Sequence, residues 1–405
     1  MFPVETYQRS GPLVGTVLDG RYRVDTMIAT GGMSGVYRGL DLRLDRPVAL
    51  KIMDSRYAGD SQFLTRFQRE ARAVARLKAP GLVAVYDQGI DGHHPFLVME
   101  LIEGGTLREL LDERGPMPPH AVAAVLGPVL GGLAVAHHEG LVHRDVKPEN
   151  VLISDDGDVK IADFGLVRAI ADAKITSTSV ILGTAAYLSP EQVSTGDAGP
   201  ASDVYAVGVL TYELLTGSTP FQGDTALAVA YRRMDTDVAP PSSVIGGVPK
   251  QFDELVLRAT ARDPADRYPD AGDMATELEA IVDELGLPGF RVPAPRNSAQ
   301  HLSAQLHRSQ SDVEPTTETV RQSPQPHRHT KALTRGPDDW PPSAEPDTEY
   351  YGVAGQFAGI DLDEFYWARQ RGKRMLLFWV IAVLVLTGAL AAGAWTIGSN
   401  LNALL

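Results

Sequence analysis

The side chains best suited to chemistry are concentrated in two short runs near the middle of the chain. Residues 143–150 read His-Arg-Asp-Val-Lys-Pro-Glu-Asn, and residues 163–165 read Asp-Phe-Gly. Carboxylate, ammonium and amide groups at such close spacing are suited to proton transfer and to stabilising charge in a reaction. A polar loop followed by an ordinary turn is the alternative explanation, but this combination at this spacing rarely arises by chance.

A second group of candidate residues lies nearer the N-terminus. Residues 28–37 read Ile-Ala-Thr-Gly-Gly-Met-Ser-Gly-Val-Tyr, and glycines between two strands let backbone N–H groups approach phosphates. By itself a hairpin turn explains these glycines better. Fifteen residues after Val36, however, an apolar strand ends at Lys51. A lysine in that position is costly unless it pairs with an anion, and Glu70 on the next predicted helix is a candidate partner.

The elements that must position these residues are predicted by the spacing of the apolar side chains. Strands are expected at residues 21–28, 35–40, 46–53, 83–86 and 96–101, and a helix is expected at residues 63–77. After Gly104 the pattern becomes mostly helical, for example at residues 119–138 and 201–216. A small sheet-rich part followed by a larger helical part implies a cleft between them, where ligands usually bind.

The stretch from residue 22 to residue 285 resembles a eukaryotic-like protein kinase, because the major landmarks of that family occur in order. The run Gly31-Gly32-Met33-Ser34 resembles bacterial members, particularly the membrane kinases of actinobacteria. The resemblance implies an α+β, bilobal protein kinase fold over residues 20–285, with a small β-rich N-lobe and a larger helical C-lobe. It also implies ATP with Mg²⁺, or Mn²⁺, as cofactors and proteins as substrates.

The same resemblance assigns roles to individual residues. Asp145 would accept the proton of the substrate hydroxyl, and Lys147 would stabilise charge near the γ-phosphate. Lys51 would hold the α- and β-phosphates, and Glu70 would orient Lys51. Asn150 and Asp163 would bind the metal ion. The residues implied to contact the nucleotide are Ile28, Ala29, Thr30, Gly31, Gly32, Met33, Ser34, Gly35, Val36, Ala49, Lys51, Met99, Glu100 and Ile102.

Two further stretches carry the resemblance to a substrate class. Lys147, two places after the implied base, resembles serine/threonine kinases and not tyrosine kinases. Thr184, a few residues before Tyr-Leu-Ser-Pro-Glu at residues 187–191, resembles the platform for a peptide substrate. The glutamate that ends this run would form an ion pair with Arg267, and Asp203 would brace the catalytic loop.

Regulation by phosphorylation is predicted for the segment between Asp163 and Glu191. Its hydroxyl-rich patch includes Thr176 and Thr178. A solvated loop has the same composition, but Arg144 could pair with a phosphate there and order the loop. Autophosphorylation of both threonines is therefore expected.

The composition sets wider limits. The chain has 405 residues, of which 44% are hydrophobic, so a sizeable core can form. Its formal net charge of −14 argues against nucleic-acid binding. The absence of cysteine excludes disulfides, zinc–cysteine sites and thiol catalysis.

A change of composition follows the predicted kinase domain. Residues 286–374 are rich in Pro, Ser, Thr, Gln, His and charge, and are predicted to be a disordered juxtamembrane linker. Residues 375–398 carry no charge and are long enough to cross a bilayer, so one C-terminal transmembrane helix in contact with membrane lipid is expected. Residues 1–19 are predicted to be a flexible lead-in.

The orientation follows from the flanks of the predicted span. Basic residues at 369, 371, 373 and 374 precede it, and none follows. Because such residues stay on the cytoplasmic side, the kinase domain is expected in the cytoplasm at the cell membrane, with residues 399–405 as a short tail outside. Gly388 and Ala392 have a spacing that permits helix–helix contact, so a homodimer that phosphorylates itself in trans is one hypothesis. Small residues are equally common in membrane helices without such contacts.

A membrane-tethered pseudokinase scaffold is the alternative function. The usual glycine loop has three spaced glycines, whose places here hold Ala29, Gly31 and Ser34. A scaffold of this kind would be expected to lack Lys51, Asp145 or Asp163, and all three are present. The departure in the glycine loop is therefore its only support. A small-molecule phosphotransferase is disfavoured by the peptide platform.

Overall fold

The computed structural model describes residues 11–32, 34–164, 185–223 and 225–311, together with residues 356–357 and 360–361. Residues 1–319 form one compact unit and residues 320–405 form another. The two pairs of residues in the second unit are the short strands Gln356–Phe357 and Ile360–Asp361, which form an antiparallel pair. The predicted transmembrane helix at 375–398 and tail at 399–405, residues 1–10, Met33, and Thr176, Thr178 and Thr184 lie outside the described residues.

The N-lobe is an antiparallel sheet with strand order β1-β2-β3-β4-β6-β5. Alternating burial along the strands explains why these residues form a sheet: in β4, for example, Val48, Leu50 and Ile52 face one apolar cluster and Ala49 faces another. The strands are β1 Val17–Leu18, β2 Tyr22–Thr30, β3 Ser34–Asp41, β4 Arg46–Met53, β5 Val85–Asp91 and β6 His94–Met99.

One helix covers a face of this sheet. Helix α1, Ser61–Val74, begins after the N-cap residue Asp60, whose carboxylate accepts from two backbone N–H groups. Its buried residues Phe63, Phe67 and Ala71 are spaced four apart and lie in the same apolar cluster as Met99 of β6. The predicted helix at 63–77 is therefore present, with both ends shifted toward the N-terminus.

The C-lobe is mainly helical and is built around α3, Pro119–His138. This helix buries residues along most of its length and packs against α5, Pro200–Thr216, and α8, Ala271–Leu285. Among the described residues it is the one helix whose length and composition would also suit a membrane span, and half of that span is buried inside the protein. The remaining C-lobe elements are β7 Gly104–Thr106, α2 Leu107–Arg114, α3 Pro119–His138, β8 Val151–Ser154, β9 Val159–Ile161, α4 Pro190–Ser194, α5 Pro200–Thr216, α6 Ala226–Asp235, α7 Lys250–Ala259 and α8 Ala271–Leu285.

The prediction of a disordered linker is wrong over its first part, because residues 286–311 are ordered against the two lobes. Val292 is 2% exposed, and helix α9, Ala299–Ser311, packs against β2 and β7. The composition of this stretch is too polar to form a core of its own, but acidic side chains of the C-lobe supply partners. Arg291 meets Asp156, and His301 meets Asp155. The rest of the predicted linker lies outside the described residues, apart from the two short strands.

Candidate active site

A cleft of about 670 Å³ lies between the N-lobe sheet and the C-lobe. The hairpin of β2 and β3 contributes one wall, the residues that follow β6 contribute another, and residues 145–163 contribute the floor. The structure brings together in this cleft most of the residues predicted to bind the nucleotide and the metal. These are Ile28, Ala29, Thr30, Gly31, Gly32, Ser34, Val36, Ala49, Lys51, Met99, Glu100, Ile102, Asp145, Lys147, Asn150 and Asp163.

The described residues of the glycine hairpin pair across β2 and β3 despite their unusual sequence, with a register shift between Met27 and Ala29. The Gly31 N–H donates to the carbonyl oxygen of Ser34 at 2.8 Å, and Ala29 pairs with Val36 across the ladder. Gly35 does not line the cleft, contrary to the prediction. A Cβ atom there would lie 2.7 Å from the ring of Tyr37, so the glycine is needed for packing beneath the hairpin.

The catalytic loop holds its key carboxylate in a fixed arrangement. Asp145 is 8% exposed, and Lys147 Nζ donates to its two oxygens at 3.0 and 2.8 Å. Asn150 Nδ2 donates to the Asp145 carbonyl at 2.7 Å and to Oδ2 at 3.1 Å. These charge-assisted bonds restrict the carboxylate to one orientation. Asp145 lines the cleft in that orientation.

Asp203 braces this loop from behind, as predicted. Its carboxylate is 1% exposed and accepts from the backbone N–H groups of His143 and Arg144, each at 2.7 Å. Arg144 has a φ of 70°, a left-handed conformation that a non-glycine residue adopts at a cost of about 1 kcal/mol or more. The two bonds to Asp203 compensate for that cost. His143 Nε2 lies 2.8 Å from the Ala162 carbonyl and links the loop to the strand end before Asp163.

Lys51 lies across the cleft but has a different partner from the predicted one. Its Nζ pairs with Asp163 Oδ1 at 2.8 Å, and the predicted Lys51–Glu70 pair is not among the ion pairs of the described residues. Burial by itself raises the pKa of the Asp163 carboxyl, but the charge of Lys51 and its hydrogen bond more than offset this and hold the pKa below its usual value. Asp163, with a φ of 68°, is therefore the acid that orients Lys51 in this structure.

Replacing Lys51 tests whether its cation contributes to the reaction. Lys51→Met removes the cation that neutralises Asp163 and that faces the cleft, so we expect the phosphoryl-transfer rate to fall by about 10²- to 10³-fold. Incorporation of labelled phosphate measures the effect. Lys78→Met makes the same chemical change at an exposed position and should leave the rate unchanged. A Lys51→Met protein with the parent rate would contradict the role of Lys51.

The residues that could hold a metal ion are Asn150 and Asp163. The amide nitrogen of Asn150 is occupied by Asp145, which leaves its amide oxygen as the free acceptor. Asp163 adds a carboxylate that faces the same cleft. Oxygen donors of this kind fit Mg²⁺ or Mn²⁺.

The predicted peptide platform is anchored by a residue that the sequence analysis did not single out. Arg233 of α6 is fully buried, and its guanidinium donates to the carbonyl of Ala185 at 2.6 Å and to that of Leu188. Burial lowers the pKa of this guanidinium. An arginine inside a helix gives no local sign of which distant carbonyls it will bind.

Several cleft residues were also missing from the predictions. Most of them flank predicted residues in sequence, and the nearby motifs could have indicated them. Two do not, because Ala299 and Gln300 lie more than 130 residues beyond Asp163 and no motif pointed to them. The full set is Val83, Gly105, Thr106, Glu109, Glu149, Leu152, Ala162, Ala299 and Gln300.

Comparison with known proteins agrees with this geometry. The sequence matches the protein kinase domain family over residues 22–277. It is 68% identical to the serine/threonine-protein kinase PknL of Mycobacterium tuberculosis over 396 residues. That alignment covers 97% of this chain and 98% of that protein. It is 39% identical to the kinase PrkC of Bacillus subtilis over 67% of this chain and 42% of that protein. The PknI kinase domain of M. tuberculosis superimposes with a TM-score of 0.53 at 27% identity, covering 66% of this chain and 97% of that chain.

The chain therefore belongs to the protein kinase family. Within that family it is a serine/threonine-protein kinase of the eukaryotic-like bacterial type, related to PknB and PrkC.

Proposed function

We propose that this protein is a membrane-anchored kinase that transfers the γ-phosphate of ATP to serine and threonine hydroxyls of cytoplasmic proteins, in signal transduction. The observation that carries the proposal is the convergence of Asp145, Lys147, Asn150, Lys51 and Asp163 on one cleft. Serine/threonine kinases generally use ATP with Mg²⁺ or Mn²⁺, and a cleft lined on one side by apolar groups and on the other by these charges suits a nucleoside joined to phosphates.

Each residue of the loop has a definable task in this reaction. The Asp145 carboxylate orients the substrate hydroxyl and accepts its proton, which needs hydrogen-bond contact more than a shifted pKa. Lys147 stabilises negative charge beside it, and Lys51 does the same from the opposite wall. A bound Mg²⁺ would neutralise phosphate charge. Asn150 and Asp163 would hold it through their oxygen atoms.

Membrane anchoring is supported by the sequence alone. Residues 375–398 are uncharged and long enough to cross a bilayer, and the basic residues that precede them favour a cytoplasmic kinase domain. In that arrangement two copies held in one membrane would meet often, which favours phosphorylation of one copy by another. We therefore include homodimerisation in the proposal.

Phosphorylation of Thr176 and Thr178 in trans tests the activity and the dimer together. A full-length Lys51→Met copy that carries a size tag is mixed in membranes with the untagged parent and Mg²⁺-ATP. We expect phosphate on Thr176 and Thr178 of the tagged copy, detected by mass spectrometry, and none when the parent is omitted. The physical reason is that a phosphate there can bind Arg144, which directly precedes Asp145.

The outcomes separate the alternatives. Phosphate on the parent but never on the tagged copy would contradict the trans mechanism alone. Nucleotide binding without phosphate on either copy would favour the pseudokinase scaffold. Extraction of the protein from membranes by alkaline carbonate would contradict the transmembrane anchor.

A further inference from the structure

The segment that follows α8 returns to the mouth of the active-site cleft. Arg291 Nε donates to the Asp156 carbonyl at 2.6 Å, and the Arg296 N–H donates to Glu113 at 2.7 Å. The Ala299 N–H then donates to Glu109 Oε1 at 2.8 Å. Glu109 itself lines the cleft, so the segment is attached to a cleft wall.

Close packing fixes the segment against the backbone that follows the connector, residues 100–102, between the two lobes. The Ser298 hydroxyl is fully buried and donates to the carbonyl of Gly104. A Cβ atom on Gly105 would lie 2.4 Å from Pro295 and 2.6 Å from Ser298, so this approach requires a glycine. Ser303, 1% exposed, has its carbonyl 3.5 Å from the Thr26 hydroxyl of β2. Helix α9 therefore touches both lobes at the open side of the cleft.

One side chain of this segment has an unused donor. Gln300 lines the cleft and is 6% exposed, and its Nε2 is buried without a hydrogen-bond partner among the described residues. An unsatisfied buried amide costs about 1–3 kcal/mol, so an unpartnered donor that lines a ligand cleft calls for an explanation, and a bound ligand supplies one. Its cleft neighbours in the segment and in β7 are Ala299, Gly105 and Thr106, which are uncharged. The Glu109 carboxylate beside them already accepts from the backbone N–H groups of Thr106 and Ala299.

We propose that Gln300 is a nucleotide-binding residue whose amide N–H donates to an acceptor on the nucleoside half of ATP. This inference rests on the proposed use of ATP in the cleft. The phosphate half is matched by the Lys51 cation and by the metal ion that Asn150 and Asp163 would hold. The segment instead adjoins the residues that follow the connector Glu100–Ile102, where a neutral donor suits a base or a ribose oxygen. The nucleotide site then includes the start of the juxtamembrane region as well as the two lobes.

The test uses the full-length protein in detergent micelles and the variant Gln300→Met. Methionine keeps the length and apolar packing of the side chain but removes the amide, so the segment stays docked. We expect dissociation constants for ATP and for ADP to rise by the same factor, about 3- to 10-fold, as the loss of one hydrogen bond requires. The melting temperature without nucleotide should be equal or higher, because the unsatisfied donor is gone.

Gln305→Met is the matched control, since it makes the same change on an exposed side of the same helix and should leave all these values unaltered. ATP and ADP affinities of Gln300→Met equal to those of the parent, or tighter, would overturn the assignment while leaving the proposed function intact. A lower melting temperature without nucleotide and an unchanged nucleotide-induced shift would show a packing role only and would also overturn it. A parent protein that binds no ATP would overturn both proposals.

Discussion

Asp145→Asn is expected to lower the rate of phosphoryl transfer by about 10²- to 10⁴-fold while the affinity for ATP changes little. Asparagine keeps the shape of the side chain but cannot accept a proton from the substrate hydroxyl. It also presents an amide where Lys147 and Asn150 now donate to carboxylate oxygens at 2.8 to 3.1 Å, so these donors lose a charged acceptor. The loss therefore falls on the chemical step.

Single-turnover labelling with ATP measures this effect apart from product release. Asp158→Asn is the matched control, because Asp158 is exposed and its side chain takes no part in the cleft. We expect that control to react at the parent rate. If Asp145→Asn retained more than about a tenth of the parent rate, general-base assistance by Asp145 would be worth less than the usual range for such residues.

Arg267→Met is expected to destabilise the kinase unit by about 3–5 kcal/mol, because it leaves Glu191 without its cation. The Arg267 side chain is 0% exposed, and its two terminal nitrogens contact Glu191 at 2.8 and 2.9 Å. The same guanidinium donates to the carbonyl oxygens of Ala201, Ala261 and Arg262. No other cation among the described residues pairs with Glu191, so the variant cannot recover these bonds.

Urea unfolding of residues 1–319 measures the change, since these residues form one compact unit. Circular dichroism is the suitable probe, because the four tryptophans of the chain all lie beyond residue 319. Arg262→Met is the control: it breaks the exposed pair with Asp237 and should cost about 1 kcal/mol or less. If Arg262→Met lowered the free energy of unfolding as much as Arg267→Met does, the pair of Arg267 and Glu191 would have no special role in stability.

The pH dependence provides a second check on the same pair. Burial raises the pKa of Glu191, but hydrogen bonds from Arg267 and Ser202 outweigh it and bring the pKa to about 2, below the ordinary value of 4.5. A depressed pKa stabilises the folded state above the unfolded pKa, and this stability is lost as the pH falls through the folded value. The stability difference between parent and Arg267→Met should therefore shrink between about pH 4.5 and pH 2.

The sequence by itself determined the catalytic loop, the glycine hairpin and the two-lobed α+β fold. Asp145, Lys147 and Asn150 lie within six consecutive positions, so the local backbone brings them together, and the family resemblance implied their roles. Strands β2, β3, β4 and β6 were also predicted, because alternating burial leaves a period of two in the sequence. Strand β1 was not predicted, and β5 spans residues 85–91 instead of the predicted 83–86. The pair of Glu191 and Arg267 was predicted only through the family resemblance, and the structure confirms it.

Only the tertiary structure decided which distant groups meet. Glu70 was the predicted partner of Lys51, but the backbone at Asp163, with its positive φ, places the Asp163 carboxylate 2.8 Å from the Lys51 ammonium group. The docking of α9 was invisible in the sequence for a definite reason: the helix region buries Ser298, Gln300 and Ser303 and exposes Leu302 and Leu306. Hydrophobic periodicity reports apolar burial, so a helix that packs through polar side chains onto carbonyls and carboxylates gives no such signal.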